Sequence, residues 1–135
     1  MTDTHTQHHI ELLQYLRQVL QALADEDVVP EEHQGFIMRY DELIEQMRQG
    51  ADDHYLGQEL ISQVFQRYPQ IAHQVPRDLL WFFGGECLHY MPDEEIANYQ
   101  LLEERRFAAL EQGEFFDWDA EVRLMFLPAA GQSKH

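Results

Sequence analysis

Between Pro76 and Met91 the chain carries apolar residues on nearly every side of a helix: Leu79, Leu80, Trp81, Phe82, Phe83, Cys87, Leu88, Tyr90 and Met91. A helix that is apolar all round is stable in water only as the buried centre of a protein, so the remaining chain must be built to cover it. Pro76 suits a first helical turn. The pair Gly84-Gly85 either interrupts the stretch or stays helical, at about 1 kcal/mol per glycine, to let a neighbouring helix approach; the expectation is one helix with its weak point at the pair. The uninterrupted apolar run, Leu79 to Phe83, is far short of the ~20 residues that cross a bilayer.

The flanking segments have the pattern such a cover requires. Ile10, Leu13, Leu16, Leu20 and Leu23 recur at intervals of three and four, which predicts a helix from about Thr6 to Asp25. Pro30, followed by Glu31 and Glu32, opens a second helix whose stripe is Phe36, Ile37, Tyr40, Leu43, Ile44 and Met47, with Gly50 as its stop. Asp52 or Asp53 caps a third, which carries Leu56, Leu60, Ile61, Val64, Phe65 and Tyr68 and ends at Pro69. The short link Gly50-Ala51-Asp52 makes the second and third helices an antiparallel hairpin.

Pro92 with Asp93, Glu94 and Glu95 begins another helix, and Ile96, Tyr99, Leu102, Arg106 or Phe107, and Leu110 lead along it to Gly113. A last short helix begins at Asp117 or Asp119 and holds Val122, Met125 and Phe126 ahead of Pro128. Strand signals are weak, since β-branched residues are sparse and no Asn-Gly or Asp-Gly turn joins alternating runs. The expected fold is all-α: a compact bundle of five or six helices with residues 76–91 at its centre. A chain of 135 residues buries roughly two-thirds of its unfolded surface, enough for one core. A single helical domain over residues 1–128 and a polar tail over 129–135 follow.

Charge narrows the function. Twenty-five acidic residues against nine basic ones give a formal charge of −16. Polyphosphates and anionic membranes meet a repulsive field, so neither nucleic acid nor membrane is an expected partner. The N-terminus is polar and lacks a signal-peptide core, and the one cysteine excludes an internal disulfide framework; the expected location is the cytoplasm. Neither a Gly-x-Gly-x-x-Gly fingerprint nor a phosphate loop is present. Gly-x-Ser-x-Gly is absent too, and Lys134 is the sole lysine, so no cofactor is expected and hydrolase or Schiff-base chemistry lacks its residues.

Four constellations carry chemistry of interest. Glu86 and His89 are three apart and share a helical face, the spacing by which carboxylate-bridged bundles place two ligands on one metal. Further ligands would have to come from another helix, such as Glu42 or Glu45; otherwise the two are a polar pair at the end of a buried helix. Cys87 and His89 are two apart and point away from each other, so Cys87 reads as core. His5, His8 and His9 read as a solvated helix start where metal binding is adventitious, although His5 and His9 are four apart. The acidic run Asp25-Glu26-Asp27 lacks the oxygen spacing of a calcium loop and reads as a solvated connection.

Aromatic residues crowd the C-terminal half. Phe115, Phe116 and Trp118 fall in a linker, where exposed aromatics mark a contact surface unless the linker folds back over the core. Over Trp81 to Ile96, reading Trp-Phe-Phe-Gly-Gly-Glu-Cys-Leu-His-Tyr-Met-Pro-Asp-Glu-Glu-Ile, the chain resembles a family of small uncharacterised gammaproteobacterial acidic helical proteins. Some members of that family carry a dehydrogenase name; the resemblance implies no site residues, and the missing dinucleotide fingerprint gives that name no physical support.

The expected function is that of a non-enzymatic acidic interaction protein, an adaptor or regulator. It self-associates as a homodimer through Phe115, Phe116 and Trp118, or meets another protein there. The alternative is a small metal-carboxylate protein or enzyme centred on Glu86 and His89.

Overall fold

The computed structural model describes residues 4–25, 30–51 and 54–126. Glu26 and Asp27 of the acidic run, the expected caps Asp52 and Asp53, and the tail lie outside the described residues. Among the described residues all regular structure is helical. The α-helices are α1 (Thr4–Gln21), α2 (Pro30–Arg48), α3 (His54–Arg67), α4 (Arg77–Phe83), α5 (Asp93–Glu111) and α6 (Trp118–Phe126). Short 3-10 stretches occupy Ala22–Asp25, Pro69–Gln74 and Gly85–Tyr90. No helix among the described residues is long and apolar enough to cross a membrane. The chain divides into two compact units, Met1–Met91 and Pro92–His135.

In the first unit the predicted stripes are the core. Ile10, Leu13, Leu16 and Leu20 of α1 are fully buried, as are Tyr40 and Leu43 of α2 and Leu60, Ile61 and Val64 of α3. The Tyr40 hydroxyl donates to the Leu13 carbonyl at 2.7 Å, which satisfies a buried polar group that is costly to leave unpaired. α2 and α3 form the expected antiparallel hairpin. Glu32 meets Arg67 at 3.0 Å, the ring of His33 meets the Tyr68 hydroxyl at 3.1 Å, and Arg39 meets Glu59 at 3.0 Å, so the start of one helix lies beside the end of the other. The Arg–carboxylate pairs are exposed and fix register more than they stabilise.

The apolar segment lies in the core, though not as one rod. α4 stops after Phe83 because Gly84 takes φ +65° and ψ −150°, a backbone region essentially open to glycine alone. Gln58 of α3 donates to the Phe83 carbonyl at the break, at 2.8 Å, and Arg77 at the start of α4 donates to the Tyr90 carbonyl at the end of the 3-10 stretch, at 2.9 Å. Both bonds satisfy carbonyls near helix ends, where intrahelical donors run out. Leu79, Leu80, Phe83 and Cys87 turn inward, while Trp81 and Phe82 are half-buried and Glu86 and His89 are exposed. Phe65 of α3 stacks on Tyr90 with ring centroids 4.0 Å apart, closing the 3-10 stretch against α3.

In the second unit, Asp93, Glu94 and Glu95 occupy the first turn of α5, as the helix dipole favours. The helix ends in a Schellman turn, with the Glu114 N–H reaching the Ala109 carbonyl at 2.8 Å. The Asp117 carboxylate caps α6 by accepting from the Ala120 N–H at 3.2 Å. Tyr99 of α5 is buried against two rings of α6, Trp118 at 6.2 Å and Phe126 at 4.9 Å.

α4 lies close to α3 at Gly57. A Cβ at that position would fall 2.2 Å from the buried ring of Phe83, so one of the two must shift. Alanine is intrinsically better in a helix by about 1 kcal/mol, but overpacking costs roughly 1–3 kcal/mol. Gly57→Ala is therefore expected to lower unfolding stability in urea despite the better helix former, and Gly35→Ala, where a Cβ meets nothing within 4 Å, to raise it.

Candidate functional site

Four histidines, an aspartate and one phenylalanine converge in the first unit. The opening turns of α1 supply His5, His8 and His9; α4 supplies Asp78 and Phe82; the first residue of α3 supplies His54. His9 lies flat on Phe82, with centroids 4.2 Å apart and planes 17° from parallel. His5 and His54 approach the same ring at 5.9 and 5.1 Å. His8 reaches instead to α4, where its Nε2 lies 2.9 Å from Oδ2 of Asp78.

Burial sets the electrostatics. His9 is wholly buried, and the loss of hydration drives its pKa down to about 3, against the smaller opposing effects of its bond to His5 and the charge of Asp78. The imidazole is neutral at physiological pH. Its Nδ1 lies 2.8 Å from the His5 carbonyl, an acceptor only, so the ring carries its proton on Nδ1 and its lone pair on Nε2. One ligand atom from each of His8, His9 and Asp78 lies within 4.8 Å of the other two, and no other such trio of His, Cys, Asp or Glu occurs among the described residues.

The expectation that the N-terminal histidines are solvated is corrected here. His9 is interior and the side chain of His8 is 17% exposed. The signal was present in the stripe: His9, Leu13, Leu16 and Leu20 follow at intervals of four, three and four, which places His9 on the inner face. Asp78 had no such signal, because a partner seventy residues away leaves no periodicity.

Glu86 and His89 both lie on the 3-10 stretch Gly85–Tyr90, where residues three apart eclipse, so they do share a face. Both are exposed, and no third ligand of the trio kind joins them among the described residues. Cys87 between them is buried; its pKa is pushed up to about 11 by burial first and by the Glu86 charge last. Its sulfur lies 3.8 Å from the Gln58 carbonyl, to which the thiol donates.

The aromatic linker is divided. Phe115 is 73% exposed and Phe116 half-buried, but Trp118 is only 3% exposed, stacked on Tyr99. Trp118 is thus a core residue of the second unit rather than part of its surface, because the linker ends one residue earlier and the indole becomes the first residue of α6. The second unit also exposes Leu101, Phe107 and Leu110 of α5 and Leu124 of α6. The stripe of α5 outruns its cover: Tyr99 and Leu102 are buried, while Phe107 and Leu110 further along are open.

Compared with known proteins, the chain matches the family model described as PA2817-like over residues 1–134. No curated protein and no solved structure matches it.

With its pKa near 11, only roughly a thousandth of Cys87 is thiolate at pH 8. Ellman's reagent is expected to release almost no thionitrobenzoate from the folded chain at that pH, and one equivalent once guanidinium unfolds it. Rapid stoichiometric reaction of the folded chain would contradict the burial.

Proposed function

The chain belongs to the PA2817-like family, and we propose that it is a non-enzymatic interaction protein of the cytoplasm that pairs with a second copy of itself through the α5–α6 unit. The observation that carries this reading is the set Phe107, Leu110, Phe115 and Leu124, each more than half exposed on one small unit. Side chains of this size offer on the order of 500 Å² of apolar surface. A stable interface needs about 800 Å² per partner. The patch supplies the apolar centre, and a polar rim completes it.

The rim favours a second copy despite the overall charge. Arg105, Arg106 and Arg123 stand among ten carboxylates on the same two helices and their link; Arg106 and Arg123 pair with Glu103 and Asp119 of their own chain, and Arg105 is exposed. A two-fold axis sets each surface against itself, so a patch that bears both signs pairs opposite charges. Cys87, buried and with its pKa pushed up to about 11, offers no nucleophile for thiol catalysis. The cytoplasm fits a lone buried thiol, which a reducing compartment preserves.

Sedimentation velocity between about 1 and 100 µM tests the reading, a range that brackets an interface of this modest size. The expected result is a rise in mass from monomer to dimer, sharper at 0.3 M salt than at low salt, because screening weakens the repulsion between acidic copies. Phe107→Glu with Leu110→Glu, at exposed positions that leave the core intact, is expected to hold the chain monomeric. A wild-type chain that stays monomeric across the range refutes self-association.

A further inference from the structure

We propose that His8, His9 and Asp78 form a binding site for a divalent transition metal, of which zinc is the representative ion. The argument rests on convergence and is independent of the self-association reading. Two imidazoles and one carboxylate, drawn from α1 and α4, place their ligand atoms within 4.8 Å of one another. That donor set suits zinc and its first-row neighbours, whereas magnesium and calcium take oxygen. His8 Nε2 and Asp78 Oδ2, now 2.9 Å apart, need to part by only about 0.4 Å to span the edge of a tetrahedron with bonds of about 2.0–2.1 Å. A metal takes the place of the proton held between those two atoms, and that proton passes to solvent or to Nδ1 of His8.

The surroundings are those a metal site uses. A ligating histidine ordinarily donates its other ring N–H to a carbonyl or carboxylate, which fixes the tautomer and aims the lone pair. His9 does this with the His5 carbonyl at 2.8 Å, and its stacking on Phe82 fixes the plane of the ring. Entry is by way of His8, whose side chain is 17% exposed, with Asp78 at 11% behind it and His9 at the closed end. Three protein ligands leave a further position for water or another small donor, the arrangement of an open rather than a purely structural zinc site.

The structure distinguishes this site from the two alternatives on the chain. Glu86 and His89 are exposed and have no third partner of this kind among the described residues, and His5 alone offers no carboxylate. Titration calorimetry of the full untagged chain with zinc chloride tests the assignment. One zinc per chain at micromolar affinity or tighter is expected, with a rise in melting temperature. Asp78→Asn keeps the shape and a hydrogen bond to His8 but removes the anionic ligand; it and His8→Gln should each weaken zinc by at least about tenfold. Glu86→Gln with His89→Gln should leave the titration unchanged.

No zinc uptake by the wild-type chain overturns the proposal. So does uptake that survives both Asp78→Asn and His8→Gln, which would be adventitious binding elsewhere, or uptake abolished by the Glu86–His89 double variant. Because His8 lies at the rim of the cluster, its variant carries the test even where Asp78→Asn disturbs the fold.

Discussion

The fit of Phe83 over Gly57 decides where α4 runs, and most of the first unit is arranged around that one approach. A side chain on α3 at this point would hold the two helices apart, since even a single Cβ lands inside the Phe83 ring. The next residue of α3, Gln58, satisfies the end of the helix that Gly57 admits, by donating to the Phe83 carbonyl. With Phe83 committed to α3, its neighbour Phe82 is directed toward His54, His5 and His9, and Asp78, just over one turn earlier, meets His8. A seven-residue helix is too short to hold itself in water, so its order comes from these tertiary contacts.

What was legible in the sequence was whatever depends on neighbours in the chain. Pro30 with its glutamates, Pro92 with its carboxylates, and the stops at Gly50 and Gly113 act within one turn, and the helices begin and end where those residues stand. The stripes of α1, α2 and α3 are the core for the same reason, because a period of three and four residues is a local property. The apolar stretch after Pro76 was read correctly as interior and incorrectly as a single rod. Its glycine pair could bend or continue, and the decision lies with Gln58 and Arg77, one from another helix and one a full segment earlier. The candidate sites divide in the same way. His9 advertised its burial by its register, Asp78 did not, and Trp118 changed from surface to core because helix α6 begins at it.

The two features that bear on function belong to different units and have opposite character. In the first unit His9, His8 and Asp78 draw together beside Phe82, with His9 wholly buried; in the second, Phe107, Leu110, Phe115 and Leu124 are each more than half exposed. The first invites something small, cationic and able to shed its hydration shell. The second invites a large apolar surface. No α-helix is common to both, and the two readings rest on different residues, so they stand or fall separately.

The wholly buried imidazole of His9 is the point at which packing and chemistry cannot be separated. An aliphatic side chain of similar size would fill the same space on Phe82 without any loss of hydration, and would sit on the same stripe as Leu13 and Leu16. The imidazole gives back part of its desolvation cost through the bond to the His5 carbonyl. That bond is available only because His5 lies one turn before it on the same helix, a spacing that the helix itself enforces. The outcome is a ring with one nitrogen committed to the backbone, its plane held by stacking, and its charge removed by burial. An apolar core needs neither the committed nitrogen nor the fixed plane, whereas both serve a nitrogen that is to share a cation with His8 and Asp78.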